Sequence, residues 1–185
     1  MMEQQFILYL QQSDKLRSGY YTSLLPIYNN WEVKLKEVMN EIPELFKIIY
    51  SRISGTKYEI DNQIFMDFVP GFLLIHILEY HQNYLDLNKI TNNLETKGIF
   101  YPIVRNYSSD FIAMDKDLNK IYLIYHDDPK IYLIHNDANK FLKTLNENYK
   151  QNVYFLDQDG YLDYNQDLEY KVAKEINKDI DFWFE

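Results

Sequence analysis

The sequence predicts an α+β fold: an antiparallel or mixed sheet with helices packed around it, plus an extra helical segment at the N-terminus. Three observations carry this expectation. The first third repeats its apolar residues at helical spacing. From Ile99 onward, short runs rich in β-branched and aromatic residues alternate with turn signals about every ten residues. Further helix-period segments interrupt those runs without alternating strictly with them, which argues against a doubly wound sheet. No strand runs into a glycine-rich turn and then a helix, so the dinucleotide and nucleoside-triphosphate fingerprints are excluded.

The 185 residues suit one domain with a short appendage. The boundaries read as 1–40 for an N-terminal helical extension and 41–185 for the α+β domain. Leu8, Leu10 and Leu16, in a Gln-rich stretch, predict a short helix ending near Gly19. Trp31, Leu35, Val38, Met39 and Ile42 fall at i, i+4, i+7, i+8 and i+11, one face of a second helix. Pro43 suits the first turn of a third, in which Leu45, Ile48, Ile49 and Ile53 continue to Gly55, a residue suited to follow a helix end. Ile64–Val69 reads as a strand stopped by Pro70-Gly71, and Phe72–Ile75 as a second short strand. Between Ile77 and Ile90, the set Ile77, Tyr80 and Tyr84, with Leu78 and Leu85, fits a helix better than a strand.

Phe100–Val104, Asp110–Asp115, Lys120–Tyr125 and Lys130–Ile134 read as antiparallel strands. The turns between them run through 106–109, 116–119 and His126–Pro129. Asp137 is an N-cap, and Ala138, Phe141, Leu142, Leu145 and Tyr149 form an amphipathic stripe behind it. Val153–Leu156 reads as an edge strand before the Asp159-Gly160 turn, and Leu168, Val172 and Ile176 as the face of a final helix.

Composition narrows the function classes. There is no cysteine, which excludes disulfides, thiolate zinc sites and cysteine nucleophiles. The net charge of −9 disfavours binding to a phosphate backbone and favours a basic partner. The charge is uneven: residues 1–109 carry −2 and residues 110–185 carry −7, with 16 acids against nine Lys. The acidity therefore concentrates in the second half, where it serves solubility, association or both. The N-terminus lacks a basic region and a long apolar stretch, so neither an export signal nor a membrane span is expected. With no cysteine present, this points to the cytoplasm.

Few motifs suggest catalysis. His76 and His81 are five apart with Glu79 between them, whereas a metalloprotease helix needs an i, i+4 pair. His126-Asp127-Asp128 could support acid–base work, but Asp and Asp-Pro also initiate turns. Asp157-Gln158-Asp159-Gly160 fails as a calcium loop because Gly comes at the fourth position and Tyr161 at the fifth. Residues 151–170 hold Asp157, Asp159, Asp163, Asp167 and Glu169 with no Lys or Arg, interleaved with Tyr154, Tyr161, Tyr164 and Tyr170. As a region, acids among tyrosines suit a protein-binding face; residue by residue, the tyrosines also fit a partly core role and the acids a solvated one.

Four segments, in order, carry a family resemblance. They are Ile42-Pro43 through Tyr50 with Gly55; Phe68-Val69-Pro70-Gly71-Phe72 leading to Ile75; Ser109–Asp115 with Ile121–Asp127; and Asn136–Leu145 with Phe141-Leu142. Together they resemble the SUKH superfamily of Smi/Knr-type domains, and within it the bacterial immunity-protein branch, over about residues 40–185. Ser109 stands where that family usually has Gly, and residues 1–40 have no counterpart. The resemblance implies a non-enzymatic cytoplasmic module that binds and neutralises a toxin, often a nuclease, without cofactor or metal. The expected contacts with such a basic partner are Asp110, Asp115, Asp127, Asp128, Asp157 and Asp159, with Asp110 alternatively holding a turn. The other readings are a regulatory or scaffold protein of the same fold and a hydrolase using His126 with Asp127 or Asp128.

Overall fold

The computed structural model describes residues 1–94, 98–117 and 119–184. Helix α1 (Met2–Leu16) is longer than its leucines suggested, because its buried stripe is Phe6, Tyr9, Leu10 and Ser13. Those positions follow i, i+3, i+4 and i+7, and Leu8 faces outward. Gly19 begins a single turn, α2 (Tyr20–Ser23). The expected second helix is only α3 (Trp31–Lys36), and Met39 and Ile42 reach the core from irregular chain behind it. Pro43 stands just outside α4 (Glu44–Tyr50), which buries Leu45, Phe46, Ile48, Ile49 and Tyr50.

The 64–69 run is not a strand, contrary to expectation. Gln63–Phe65 is a 3₁₀ turn capped by Asn62, and Val69 makes only a bridge to Phe72 around Pro70-Gly71. Three carbonyls of this segment accept from side chains of α1 and of the residue that ends it, and so need no ladder. Arg17 Nη1 donates to the carbonyls of Asp67 (2.8 Å) and Ile64 (3.4 Å), and the Tyr9 hydroxyl donates to that of Phe68. The Arg17 guanidinium also lies 3.9 Å from the centre of the Tyr20 ring.

Strand β1 (Leu73–Leu74) follows, then a 3₁₀ turn (Ile77–Glu79) and helix α5 (Tyr80–Thr91). The α5 stripe is Tyr80, Asn83, Leu87 and Thr91, and Leu78 and Leu85 are exposed. The meander is as the sequence predicts. Among the described residues, β1 is joined by β2 (Phe100–Arg105), β3 (Phe111–Asp115), β4 (Ile121–Ile124) and β5 (Ile131–His135) in one antiparallel sheet of order β1-β2-β3-β4-β5. The predicted turn through 116–119 contains Leu118, which lies outside the described residues. The β2–β3 register shifts between Pro102 and Val104, beside a residue with no N–H to give the ladder. Phe111, Ile112, Ala113 and Met114 are all buried, so β3 is covered on both faces.

Asp137 caps α6 (Ala138–Lys150) by accepting from Lys140 N at 2.8 Å. Helix α1 packs along α6. Asn146 Nδ2 donates to Gln5 Oε1 at 2.7 Å, and Ser13 Oγ donates to the Tyr149 hydroxyl at 3.0 Å. Phe6, Tyr9, Tyr20, Leu24 and Leu35 lie in the same core as the sheet, so the first 40 residues share the core of the rest. Strands β6 (Tyr154–Leu156) and β7 (Leu162–Tyr164) make a separate hairpin. Helix α7 (Gln166–Ile176) buries Val172 and Ala173 but leaves Leu168 exposed. Trp183 Nε1 donates to Ile134 O at 2.7 Å and ties the C-terminal 3₁₀ turn to β5. Among the described residues, no helix is long and apolar enough to cross a membrane.

Two substitutions test this packing. Gly55 has φ +88°, and a Cβ there would sit 2.4 Å from the Ile75 carbonyl oxygen. Gly55→Ala is therefore expected to lower unfolding free energy in urea by roughly 2–3 kcal/mol. Arg17→Ala removes the donors to residues 64 and 67 and leaves two half-buried carbonyls unpaired. A loss of about 2–4 kcal/mol is expected, with amide exchange rising first across 64–72.

Candidate functional site

The sheet and α7 do not close fully on each other. Between them lies a cavity of ≈ 290 Å³, floored by Ile112, Leu123 and Ile134. Ile112 and Leu123 are direct β3–β4 partners, which puts them on one face of the sheet. Val69, Pro70 and Phe72 form one wall, and Tyr164, Glu169 and Tyr170 another. Phe182 and Trp183 complete the lining, in an aromatic cluster that continues through Tyr170.

Two carboxylates reach this cavity, and their surroundings differ. Asp110 follows the Ser108-Ser109 turn, where Ser109 takes φ +70°. Ser109 therefore adopts the left-handed conformation that glycine adopts more easily. The Asp110 side chain is nearly buried. Its Oδ1 accepts from His126 N at 2.9 Å and lies 2.8 Å from His126 Nδ1; Oδ2 accepts from Asn106 Nδ2 at 2.8 Å. Asn106 Oδ1 returns the contact by accepting from Asp110 N. Burial alone would raise the Asp110 pKa, but the hydrogen bonds from His126 and Asn106 outweigh it and hold the pKa below its ordinary value. The same hydrogen bond raises the pKa of the exposed His126, helped by Asp127.

Glu169 has no comparable set of donors. Asn148 Nδ2 lies 3.4 Å from its Oε1, and the Tyr154 hydroxyl bonds to it. Among the described residues, no Lys, Arg or His pairs with it. Burial pushes its pKa up to about 7, against the smaller effect of the Tyr154 bond.

The six predicted contact residues fall in three places. Asp110, Asp127 and Asp128 gather where β3 begins and β4 ends. Asp127 is exposed, and Asp128 closes the β4–β5 turn by accepting from Lys130 N (2.8 Å) and the Tyr132 hydroxyl (2.6 Å). Asp115 closes β3 at the other end of the strand, roughly 17 Å from Asp110 along an extended chain. Asp157 and Asp159 sit in the β6–β7 loop, where Asp157 Oδ1 accepts from the amides of Asp159 (2.9 Å) and Tyr161 (2.8 Å). Asp159 is exposed.

Glu169 was missing from the expected contacts, although its signal was available. It precedes Val172, Ala173 and Ile176 by three, four and seven residues, so it occupies an apolar-stripe position of α7. Asp110, His126 and Asp127 each bring one ligand atom within 4.8 Å of the others. The Asp110 oxygens are already engaged by Asn106 and His126, which matches the turn reading of this cluster. His76 caps the 3₁₀ turn before α5 by accepting from Leu78 N, and His81 lies 3.8 Å from Glu37, so the two histidines share no site. Compared with known proteins, the chain matches no family model and no curated protein.

Glu169 should leave a measurable mark on stability. A carboxyl whose folded pKa is raised binds its proton more tightly when folded than when unfolded. Stability is then lost as pH rises from the ordinary carboxylate range to about 7. This group is expected to cost roughly 2–3 kcal/mol between pH 5 and pH 8. Glu169→Gln should flatten that part of the profile, read by urea titration at both pH values, and be the more stable form at pH 8.

Proposed function

We propose that this chain is a non-enzymatic cytoplasmic module that docks a basic protein, in the manner the SUKH resemblance implies. It would be an immunity protein that neutralises a toxin of the nuclease type. One observation carries the reading. The β6–β7 hairpin and the start of α7 expose Phe155, Leu156, Tyr161, Tyr164 and Leu168. These lie among Asp157, Asp159, Asp163 and Asp167, in a stretch, residues 151–170, without a single Lys or Arg.

Phe155 projects from one face of the hairpin and Leu156 and Tyr164 from the other. Exposed apolar and aromatic groups set among like charges are costly to leave in water and suit an interface. Tyr and Phe supply rigid contact area, and the acids steer a cationic partner from a distance. A nuclease needs a basic groove to hold its polyanionic substrate. An acidic, aromatic face laid over that groove excludes the substrate by occupation and needs no chemistry. The −7 charge of residues 110–185 extends the same attraction beyond the patch.

Co-expression with basic nuclease toxins, beginning with one encoded beside this chain, tests the reading. The wild-type chain is expected to restore growth, and the complex in a pull-down should weaken steeply as salt rises. Tyr161→Ser combined with Asp159→Lys should reduce binding at least tenfold without changing the circular dichroism. Salt-insensitive binding would favour the regulatory or scaffold reading. Undiminished protection by the double variant would remove the hairpin from the interface.

A further inference from the structure

The cavity beside this patch has a chemistry of its own. Tyr164 belongs to both, exposed on β7 and lining the cavity wall. At ≈ 290 Å³ the cavity lies at the lower edge of the range for small-molecule pockets. That is room for a side chain rather than a nucleotide. Tyr125, Tyr164, Tyr170 and Phe182 supply aromatic walls, and Glu169 and Asp110 supply the two carboxylates.

These groups select among occupants. Aromatic faces attract cations, and do so more strongly where water is excluded. An anion would meet two carboxylates. A neutral group would leave Glu169, which no cation of the described chain balances, as it is. A planar guanidinium can stack on a tyrosine while its N–H fork meets a carboxylate, which a compact ammonium cannot do.

We infer that this cavity is a socket for an arginine side chain of the docked protein, stacked on the tyrosines and paired with Glu169. The inference rests on the docking reading above and names where one side chain of the partner goes. Asp110, already held by His126 and Asn106, adds negative potential without having to move. The proton that Glu169 retains near neutral pH leaves when the guanidinium arrives, because an adjacent positive charge favours the carboxylate.

The test needs no partner protein. N-acetyl-arginine amide is titrated into the full chain, with its neutral isostere N-acetyl-citrulline amide as control. The reporter is the indole N–H resonance of Trp183, which lines the cavity, and that of Trp31 serves as internal reference. The expected result is a saturable shift of Trp183 alone, seen with the arginine compound and absent with citrulline. Glu169→Gln should weaken that binding at least tenfold. Because Glu169→Gln is expected to stabilise the fold, lost binding cannot be blamed on unfolding, and Tyr164→Ala gives an independent loss. No shift at Trp183, an equal response to citrulline, or unchanged affinity in Glu169→Gln would overturn the socket. If the wild-type chain still binds and neutralises a basic toxin in that event, the docking reading survives without it. If the arginine compound binds as expected but no basic protein does, the socket stands and the docking reading fails.

Discussion

The course of residues 64–72, and with it one wall of the cavity, depends on a buried arginine at the end of the first helix. Arg17 is 3% exposed and has no carboxylate hydrogen-bonded to it. It is held instead by two carbonyls and the face of Tyr20. Only Nη1 reaches these carbonyls, while Nε and Nη2 lie buried with no hydrogen-bond partner among the described residues. The guanidinium is therefore already costly, and losing the Nη1 contacts would add to that cost, which fixes the segment that provides them. Tyr9, eight residues earlier and on the helix itself, takes the next carbonyl of that segment. Val69, Pro70 and Phe72 then follow from where Phe68 has been placed. The N-terminal helix, without a counterpart in the resemblance, thereby shapes the cavity without touching it.

Legibility in the sequence followed the range of the interactions. The β2–β5 meander was readable because its turns are local and its strands are rich in β-branched and aromatic side chains. Helix α6 was readable because Asp137 and the stripe behind it are a local signal. The 64–69 run misled because its alternation resembles a strand while its hydrogen-bond partners lie 50 and 59 positions upstream. Nothing within a short window records that Arg17 supplies them. The leucines of α5 misled differently, since Leu85 is apolar yet exposed and the stripe contains Asn83 and Thr91.

The acidic residues show the same division. Composition reveals their number, but several are committed to the backbone as turn formers. Asp128 and Asp157 each accept main-chain amides in their own loops. Such a carboxylate still contributes to the field that draws a cation, because hydrogen bonds to the charged form keep it charged; the Asp128 pKa is lowered by Tyr132 and the Lys130 amide. Capping and steering are therefore compatible uses of one aspartate. Direct contact requires exposure as well, which Asp127 and Asp159 have and Asp110 lacks.

Two buried histidines and the half-buried Glu169 pull the response to pH in opposite directions. Burial lowers the pKa of both His76 and His135 to about 4, so each favours the fold as pH rises toward the ordinary histidine range. Each ring nitrogen that faces a partner is used, by Leu78 N for His76 and by Asn177 for His135. Glu169 acts in the opposite direction, as do Asp67 and Glu79, whose pKa values burial also raises. Where the Glu169 and histidine windows overlap, the two extra protons bound by the histidines of the unfolded chain outweigh the one extra proton that Glu169 holds in the fold. Stability contributed by these groups thus rises through mildly acidic pH and turns over only near neutrality, where the histidine terms have ended and Glu169 is ionising. A histidine buried neutral with a partner is at rest at that pH, whereas a carboxylate ionising among tyrosines is not. Its cost is relieved by a positive charge from outside the chain, which makes the least comfortable residue of the cavity the one best placed to recognise a partner.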